Sequence, residues 1–467
     1  MNRRIVRIAS TLALALAAPG APLPAQQLRV PHEAFTLPNG LTVIVHEDRS
    51  VPVVTVNTLY RVGSANERPG RTGFAHLFEH VMFMGSQHVP TGQFDRLLEA
   101  VGADNNAWTS QDFTNYYENG PVSALELMLY LDADRLGFLL PEMTPEKVDI
   151  QRGVVQNERR QSYENRPYGL AEETILERLF PPQHPYHWPV IGSMADLQAA
   201  SIDDVRDFFR SFYTPNNAIM VIAGAVSAAE ARSLAERWLG DIPRGPATSR
   251  PSIPPVRLER DVHHTLEDRV QLPRVYNAWH TVAAYADDDA ALDILADVLS
   301  GGRYSRFDKR MVYELQNTAE VTAYQESGRY DGKFVVFATA RPGHDLNELQ
   351  RILDEEIRRV AEQGPTEREV QRAINGYEAR FLGAMERVGD VVGDVGVVAG
   401  KASRLARYYD AFSEPDSFER DLARYRRVTP ADVQRVAQQY LVGAHRVVLS
   451  VVPQGQTNLA VTAGVQP

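Results

Sequence analysis

Ser201-Ile202-Asp203-Asp204-Val205, followed by a helical pattern and the apolar strand pattern Ala218 to Ala223, is echoed by Thr429-Pro430-Ala431-Asp432-Val433, another helical pattern and the strand pattern Arg446 to Val451. Both elements recur at one constant offset, from position 201 to position 429. A helix–strand unit repeated at a fixed period predicts a duplicated chain of two homologous halves. The other reading is two unrelated domains that happen to share a common helix–strand unit.

Working outward, the stretch from Ile242-Pro243-Arg244-Gly245-Pro246 to Ile253-Pro254-Pro255 carries prolines that preclude regular structure. It predicts a stiff linker over 246–258, separating an N-terminal half at 33–245 from a C-terminal half at 259–455, with a tail at 456–467. In the first half, Leu37-Pro38-Asn39-Gly40 predicts a turn ahead of a strand over Leu41 to His46, and a second strand covers Val53 to Tyr60. Helical periodicity covers Phe74–Met84, Gly92–Val101, Leu125–Leu139 and Pro145–Tyr163. Strands and helices that mix without strict alternation predict an α+β class, a largely antiparallel sheet packed with helices in each half.

A chain of 467 residues is too long for one ordinary core. With 49 Lys+Arg against 60 Asp+Glu, its net charge of −11 argues against a nucleic-acid partner. The absence of cysteine removes disulfides, thiolate nucleophiles and cysteine metal ligands, so a metal site would have to use His and carboxylates. Residues 1–25 carry Arg3, Arg4 and Arg7, the apolar run Ile8 to Ala18 and Leu23-Pro24-Ala25, the pattern of a secretory signal peptide. A transmembrane anchor is the other reading, but the run falls short of the ~20 residues that span a bilayer. The expectation is export, with no stable membrane span in the mature chain.

Within Phe74–Met84 the ionisable side chains are His76, Glu79 and His80, and the rest is Phe, Ala, Leu, Val, Met and Gly-bounded. A helix apolar all round is expected to be buried. At ~100° per residue the three polar groups fall on one arc. Burying them without partners would cost several kcal/mol each. A buried His–Glu hydrogen-bond network is one solution. A zinc ion is the other, held by imidazoles at i and i+4 while the glutamate stands beside its open position as a general base. His-x-x-Glu-His is the inverse of His-Glu-x-x-His and a zinc-peptidase signature.

A catalytic zinc site needs a third protein ligand. Glu158, four residues after Val154 and three after Val155, falls on the apolar side of the Pro145–Tyr163 helix. Glu164, beside Asn165-Arg166-Pro167, competes by spacing and also reads as a surface partner for an arginine. In the second half, Leu292 to Leu299 keeps the apolar frame but places Asp293, Ala296 and Asp297 where His76, Glu79 and His80 stand, so zinc is expected in the first half alone.

These residues resemble the inverzincin, or pitrilysin/insulinase-type, metallopeptidases, in particular half-length bacterial members similar to mitochondrial processing peptidase. The resemblance runs from about residue 33 to 455. It rests on His76-Leu77-Phe78-Glu79-His80, on Asn105-Asn106-Ala107-Trp108-Thr109 through Tyr116-Tyr117, and on Asn157-Glu158-Arg159. It implies two homologous halves arranged as a clam around a peptide chamber, with Glu158 as the third zinc ligand beside His76 and His80 and with Glu79 as the catalytic base. It also implies peptides bound in extended form along a sheet edge near Asn106 and Ala107.

Two departures stand out. Many relatives carry a supporting glutamate seven residues before the third ligand, where this chain has Gln151. Active relatives also carry an Arg and, seven residues later, a Tyr in the second half, where this chain has Val312 and Ala319. Arg306 and Tyr313 share that spacing but lie out of register. The resemblance therefore implies an exported zinc metalloendopeptidase, in the periplasm of a Gram-negative bacterium, acting as the zinc-bearing subunit of a heteromer. Its homologous partner would supply the Arg/Tyr pair, and a homodimer is the alternative assembly. From a different class, the alternative is a non-catalytic peptide-binding or assembly subunit of the same fold.

Overall fold

A computed structural model describes residues 28–393 and 396–462, so the signal peptide expected at residues 1–25 lies outside the described residues, as does the end of the expected tail. The turn at Leu37-Pro38-Asn39-Gly40 joins β1 (Glu33–Thr36) to β2 (Thr42–Glu47) as an antiparallel hairpin, with Gly40 at a φ of +93° that favours glycine. After β3 (Val53–Tyr60) come α1 (Phe74–Val81) and α2 (Gln93–Ala100). A second hairpin pairs β4 (Asp104–Thr109) with β5 (Thr114–Pro121). Helices α3 (Leu125–Phe138), α4 (Pro145–Arg159), α5 (Ala171–Leu179), α6 (Met194–Ala199) and α7 (Ile202–Phe212) then lead into β6 (Ala218–Gly224) and α8 (Ala228–Leu239). Residues 243–258 contain neither helix nor strand.

The second half opens with β7 (Val262–Asp268), β8 (Arg274–His280), α9 (Asp289–Ser300), β9 (Thr318–Ser327) and β10 (Gly332–Ala340). It continues through α10 (Leu346–Gln363), α11 (Glu367–Ala384) and a short hairpin of β11 (Val391–Gly393) and β12 (Gly396–Val398). Helices α12 (Lys401–Phe412), α13 (Phe418–Arg426) and α14 (Pro430–Val436) precede β13 (Arg446–Pro453).

The duplication is visible in the strand order. The first sheet runs β1-β2-β6-β3-β5-β4 and the second β7-β13-β8-β10-β9. In each, the last strand of the half lies parallel to the first of the matched set and antiparallel to the next, β6 between β2 and β3, and β13 between β7 and β8. The remaining pairs are antiparallel, which is the α+β class that the mixed pattern predicts. The echo in sequence has a local cause. Ser201 and Thr429 each accept the N–H, and engage the carboxylate, of an Asp three residues on, a reciprocal cap that starts α7 and α14.

The halves exchange helices. Each sheet packs one face against helices of its own half, and the other face is covered from across the molecule. On the first sheet, Ile44, Leu59, Ile219 and Val221 meet Leu405, Ala406 and Tyr408 of α12. On the second, Ala278, Val447 and Leu449 meet Ile175, Leu176 and Leu179 of α5. Burial on both faces explains why β6, Ala-Ile-Met-Val-Ile-Ala-Gly, is apolar without alternation.

Candidate active site

Helix α1 is shorter than the Phe74–Met84 pattern suggests, ending at Val81 before the chain reverses at Gly85, where φ is +82°. Its start is fixed by a distant carboxylate: Glu67 accepts the backbone N–H groups of Gly73 (2.9 Å) and Ala75 (2.8 Å). Its middle is fixed from β5, where the Tyr116 hydroxyl donates to the Phe78 carbonyl (3.1 Å). Phe74, Leu77, Phe78 and Val81 fill the first core, which leaves His76, Glu79 and His80 to face β4 and α4.

Helix α4 brings Glu158 to this face. Val155 is fully buried, whereas Val154 is 42% exposed and lies in an exposed row with Ile150. The expectation that Val154 and Val155 share Glu158's apolar side is thus corrected for Val154: Glu158, its side chain 41% exposed, stands at the border of the buried face of α4, with Val155 on the buried side and Val154 on the exposed one. Glu158 Oε1 lies 3.6 Å from His76 Nε2, and Oε2 lies 3.4 Å from His80 Nε2. Glu164 sits elsewhere, 3.4 Å from Arg159 Nε. The Arg159 guanidinium also binds Glu173 and the Gly192 carbonyl, holding the end of α4.

Ligand atoms of His76, His80 and Glu158 all lie within 4.8 Å of one another, and among the described residues no other group of His and carboxylate side chains does so. Ligands on a tetrahedral zinc stand about 3.3 Å apart. His76 Nδ1 is buried without a hydrogen-bond partner, so this ring is not spent on a structural hydrogen-bond network. Burial pushes its pKa down, which keeps it neutral and able to donate a lone pair. Glu158 titrates low, chiefly because His80 hydrogen-bonds to its charged form. The donor set therefore fits a zinc ion, two imidazoles and one carboxylate with a fourth position left open.

Glu79 is not part of that set. Its Oε2 accepts a hydrogen bond from Thr109 Oγ1 at 2.7 Å, and burial raises its pKa against that bond. Thr109 closes β4, the edge strand of the first sheet. Spacing did not single Thr109 out; the signal was its period-two relation to Ala107, which puts both side chains on one face of the strand.

The sequence model of the insulinase family (peptidase family M16) matches residues 42–184, and that of the peptidase M16 inactive domain matches residues 199–377. The chain belongs to the insulinase family. It is 28% identical over 395 residues to the zinc protease PqqE of Helicobacter pylori, a match that covers 84% of this chain and 88% of that one. It is 24% identical to the mitochondrial-processing peptidase subunit beta of Blastocladiella emersonii, covering 92% and 90%. A crystal structure of a protease from Helicobacter pylori superposes with a TM-score of 0.82 at 24% identity, over 91% of this chain and all of that one, which shows a shared fold.

In this insulinase-family chain the remaining predicted positions fall as follows. Asn106 and Ala107 lie on β4, whose outer edge pairs with no strand among the described residues; Asn106 is exposed and Ala107 buried. Gln151 lies two turns before Glu158 and donates to Met84 Sδ (2.6 Å). In α9, Tyr425 donates to Asp293 (2.7 Å) and Arg380 to Asp297 (2.8 Å), so the carboxylates standing where His76 and His80 stand in α1 are each taken by a side chain. Val312 packs on the second core and Ala319 is exposed on the edge strand β9. Arg306, whose spacing to Tyr313 imitates an Arg/Tyr pair, is bound to Glu369 at 2.8 and 3.0 Å.

Proposed function

We propose that this protein is a zinc metalloendopeptidase. The observation that carries the reading is the convergence of His76, His80 and Glu158 beside a glutamate, Glu79, that is held by the edge strand along which a peptide can add. Zinc held by the three ligands would supply Lewis-acid polarisation of the scissile carbonyl and of a water molecule. Glu79 lies where it can take a proton from the attacking water and return it to the leaving amine. Thr109 fixes the carboxylate while β4 offers its free N–H and C=O groups near Asn106 and Ala107 to the peptide backbone, which sets the register of the scissile bond.

Val312 and Ala319 leave the chain without the Arg and Tyr that its active relatives carry, so the proposal includes a homologous partner subunit that supplies them, or a second copy of this chain. The leader pattern supports export to the periplasm. Among the described residues no helix is long and apolar enough to cross a membrane. The test is hydrolysis of a quenched-fluorescence peptide mixture by the mature protein, alone and with the proteins that co-purify with it. Cleavage that appears or rises with a partner supports the heteromer. Equal rates with and without every candidate rule it out, and zinc-bound protein inert in all mixtures favours a peptide-binding subunit.

A further inference from the structure

A cavity of about 800 Å³ lies between the two halves and adjoins the candidate active site: Thr109, which holds Glu79, lines it, as does Tyr163, five residues beyond Glu158. A peptide on β4 would turn alternate side chains toward this space. One wall belongs to α12, and it carries an unusual arrangement of charge.

Asp410 is shared by three guanidinium groups from three parts of the chain, Arg61 at the end of β3, Arg250 in the stretch between the halves, and Arg329 in the β9–β10 turn. One carboxylate among three arginines leaves this wall with an excess of positive charge in a chain whose net charge is −11. One turn earlier on α12, Arg407 also faces the cavity. Its guanidinium lies over the Phe113 ring, 5.4 Å from the centroid, and among the described residues no carboxylate lies within ion-pair distance and no acceptor hydrogen-bonds to it. The nearest acids are engaged. Asp421 receives Tyr408 and Arg424, and Asp390 receives the Gly400 N–H and Trp108. The acids lining the cavity, Glu172 and Glu326, hold Lys333 between them, while Asp112 receives Tyr186 and the Arg329 N–H.

A guanidinium that lines a cavity with no carboxylate of its own chain within ion-pair distance keeps its planar fork free for the carboxylate of a ligand. We propose that Arg407 receives a carboxylate of the bound peptide, and that it thereby sets which peptides enter the site. The proposal rests on the peptidase reading for its ligand. The carboxylate has two sources, an acidic side chain near the scissile bond or the peptide's own C-terminus. Phe113 beneath the guanidinium limits its approach to the side facing the cavity.

The experiment reads binding rather than turnover, so that it is decided independently of catalysis. Zinc-loaded Glu79→Gln protein is titrated calorimetrically with one peptide sequence in four forms: a Glu at a single position or Gln in its place, each with a free or an amidated C-terminus. We expect the carboxylate-bearing form to bind about tenfold more tightly than its neutral counterpart. The Glu/Gln arm and the free/amidated arm tell the two sources apart. Adding Arg407→Met should abolish that ratio while leaving the affinity for the neutral peptide within about twofold. Arg407→Lys, which preserves the charge and guards against a misfolded Met variant, should retain part of the preference. An equal preference with Arg407→Met, or none in the parent, overturns the proposal. A protein that discriminates by charge yet never cleaves, with Glu79 restored, instead overturns the peptidase reading.

Discussion

Thr109 Oγ1 donates a 2.7 Å hydrogen bond to Glu79 Oε2, so the last residue of the edge strand β4 holds the carboxylate that stands beside the His76–His80–Glu158 set. The strand that would align the peptide and the group that would move the proton are thus one mechanical unit. Replacing Thr109 by Val keeps the shape and removes the donor. Losing a hydrogen bond to a charged group costs about 1.5–3 kcal/mol, so kcat/KM should fall roughly 10- to 100-fold. Zinc content should stay the same, since Thr109 touches none of the three ligands. Steady-state kinetics with metal analysis checks this, and loss of zinc together with activity would assign Thr109 a different role.

Beneath α1 lies a buried charge network. Arg135, 2% exposed, donates to Glu118 (2.8 Å) and Asp132, and stacks on Tyr116, the residue whose hydroxyl holds the Phe78 carbonyl. Arg135→Met would strand two buried carboxylates and should cost about 3–5 kcal/mol. The expected drop in Tm is on the order of 10 °C. Replacing all three charged residues with apolar ones of matching volume should restore much of that loss, which thermal denaturation of the single and triple variants can establish.

How much of this was legible in the sequence depended on the range of the interaction. The arc of His76, Glu79 and His80 and the paired caps at Ser201 and Thr429 are written within a few residues, and helical geometry alone places them. Spacing favoured Glu158 over Glu164 only weakly, because which carboxylate meets α1 is decided by the packing of two helices. Val154 was assigned to a buried face but is 42% exposed, because how far the buried face of α4 extends is decided by its packing on α1 and not by its own periodicity. The exchange of α5 and α12 left no local mark, since an amphipathic helix does not encode which of two similar sheets it will cover. The same holds for Asp410, one acid among many until Arg61, Arg250 and Arg329 are brought around it.

The pair Arg306–Glu369 makes the second half acid-sensitive. Burial alone would raise the Glu369 carboxyl, but hydrogen bonds from Arg306 and from the Thr366 backbone prevail and hold it down at about 2. A carboxyl whose folded pKa is depressed contributes stability that is present above its ordinary value near 4.5 and lost as pH falls toward 2. Glu369→Gln should therefore be less stable than wild type at pH 7, with the gap closing between pH 4.5 and 2. Urea denaturation of both proteins across that range measures it. A gap independent of pH would mean that Glu369 acts through packing and helix capping instead of through its charge.

His76, His80 and Glu158 are expected to hold zinc while Glu79 moves the proton. The most direct measurement is zinc stoichiometry alongside peptide hydrolysis for wild type, Glu79→Gln and His76→Ala, each assayed with the partner that gives wild type its highest rate. Wild type should show one zinc per chain and cleavage, Glu79→Gln one zinc and no cleavage, and His76→Ala neither. Full zinc occupancy in His76→Ala would remove that residue from the ligand set, and undiminished cleavage by Glu79→Gln would rule Glu79 out as the proton carrier.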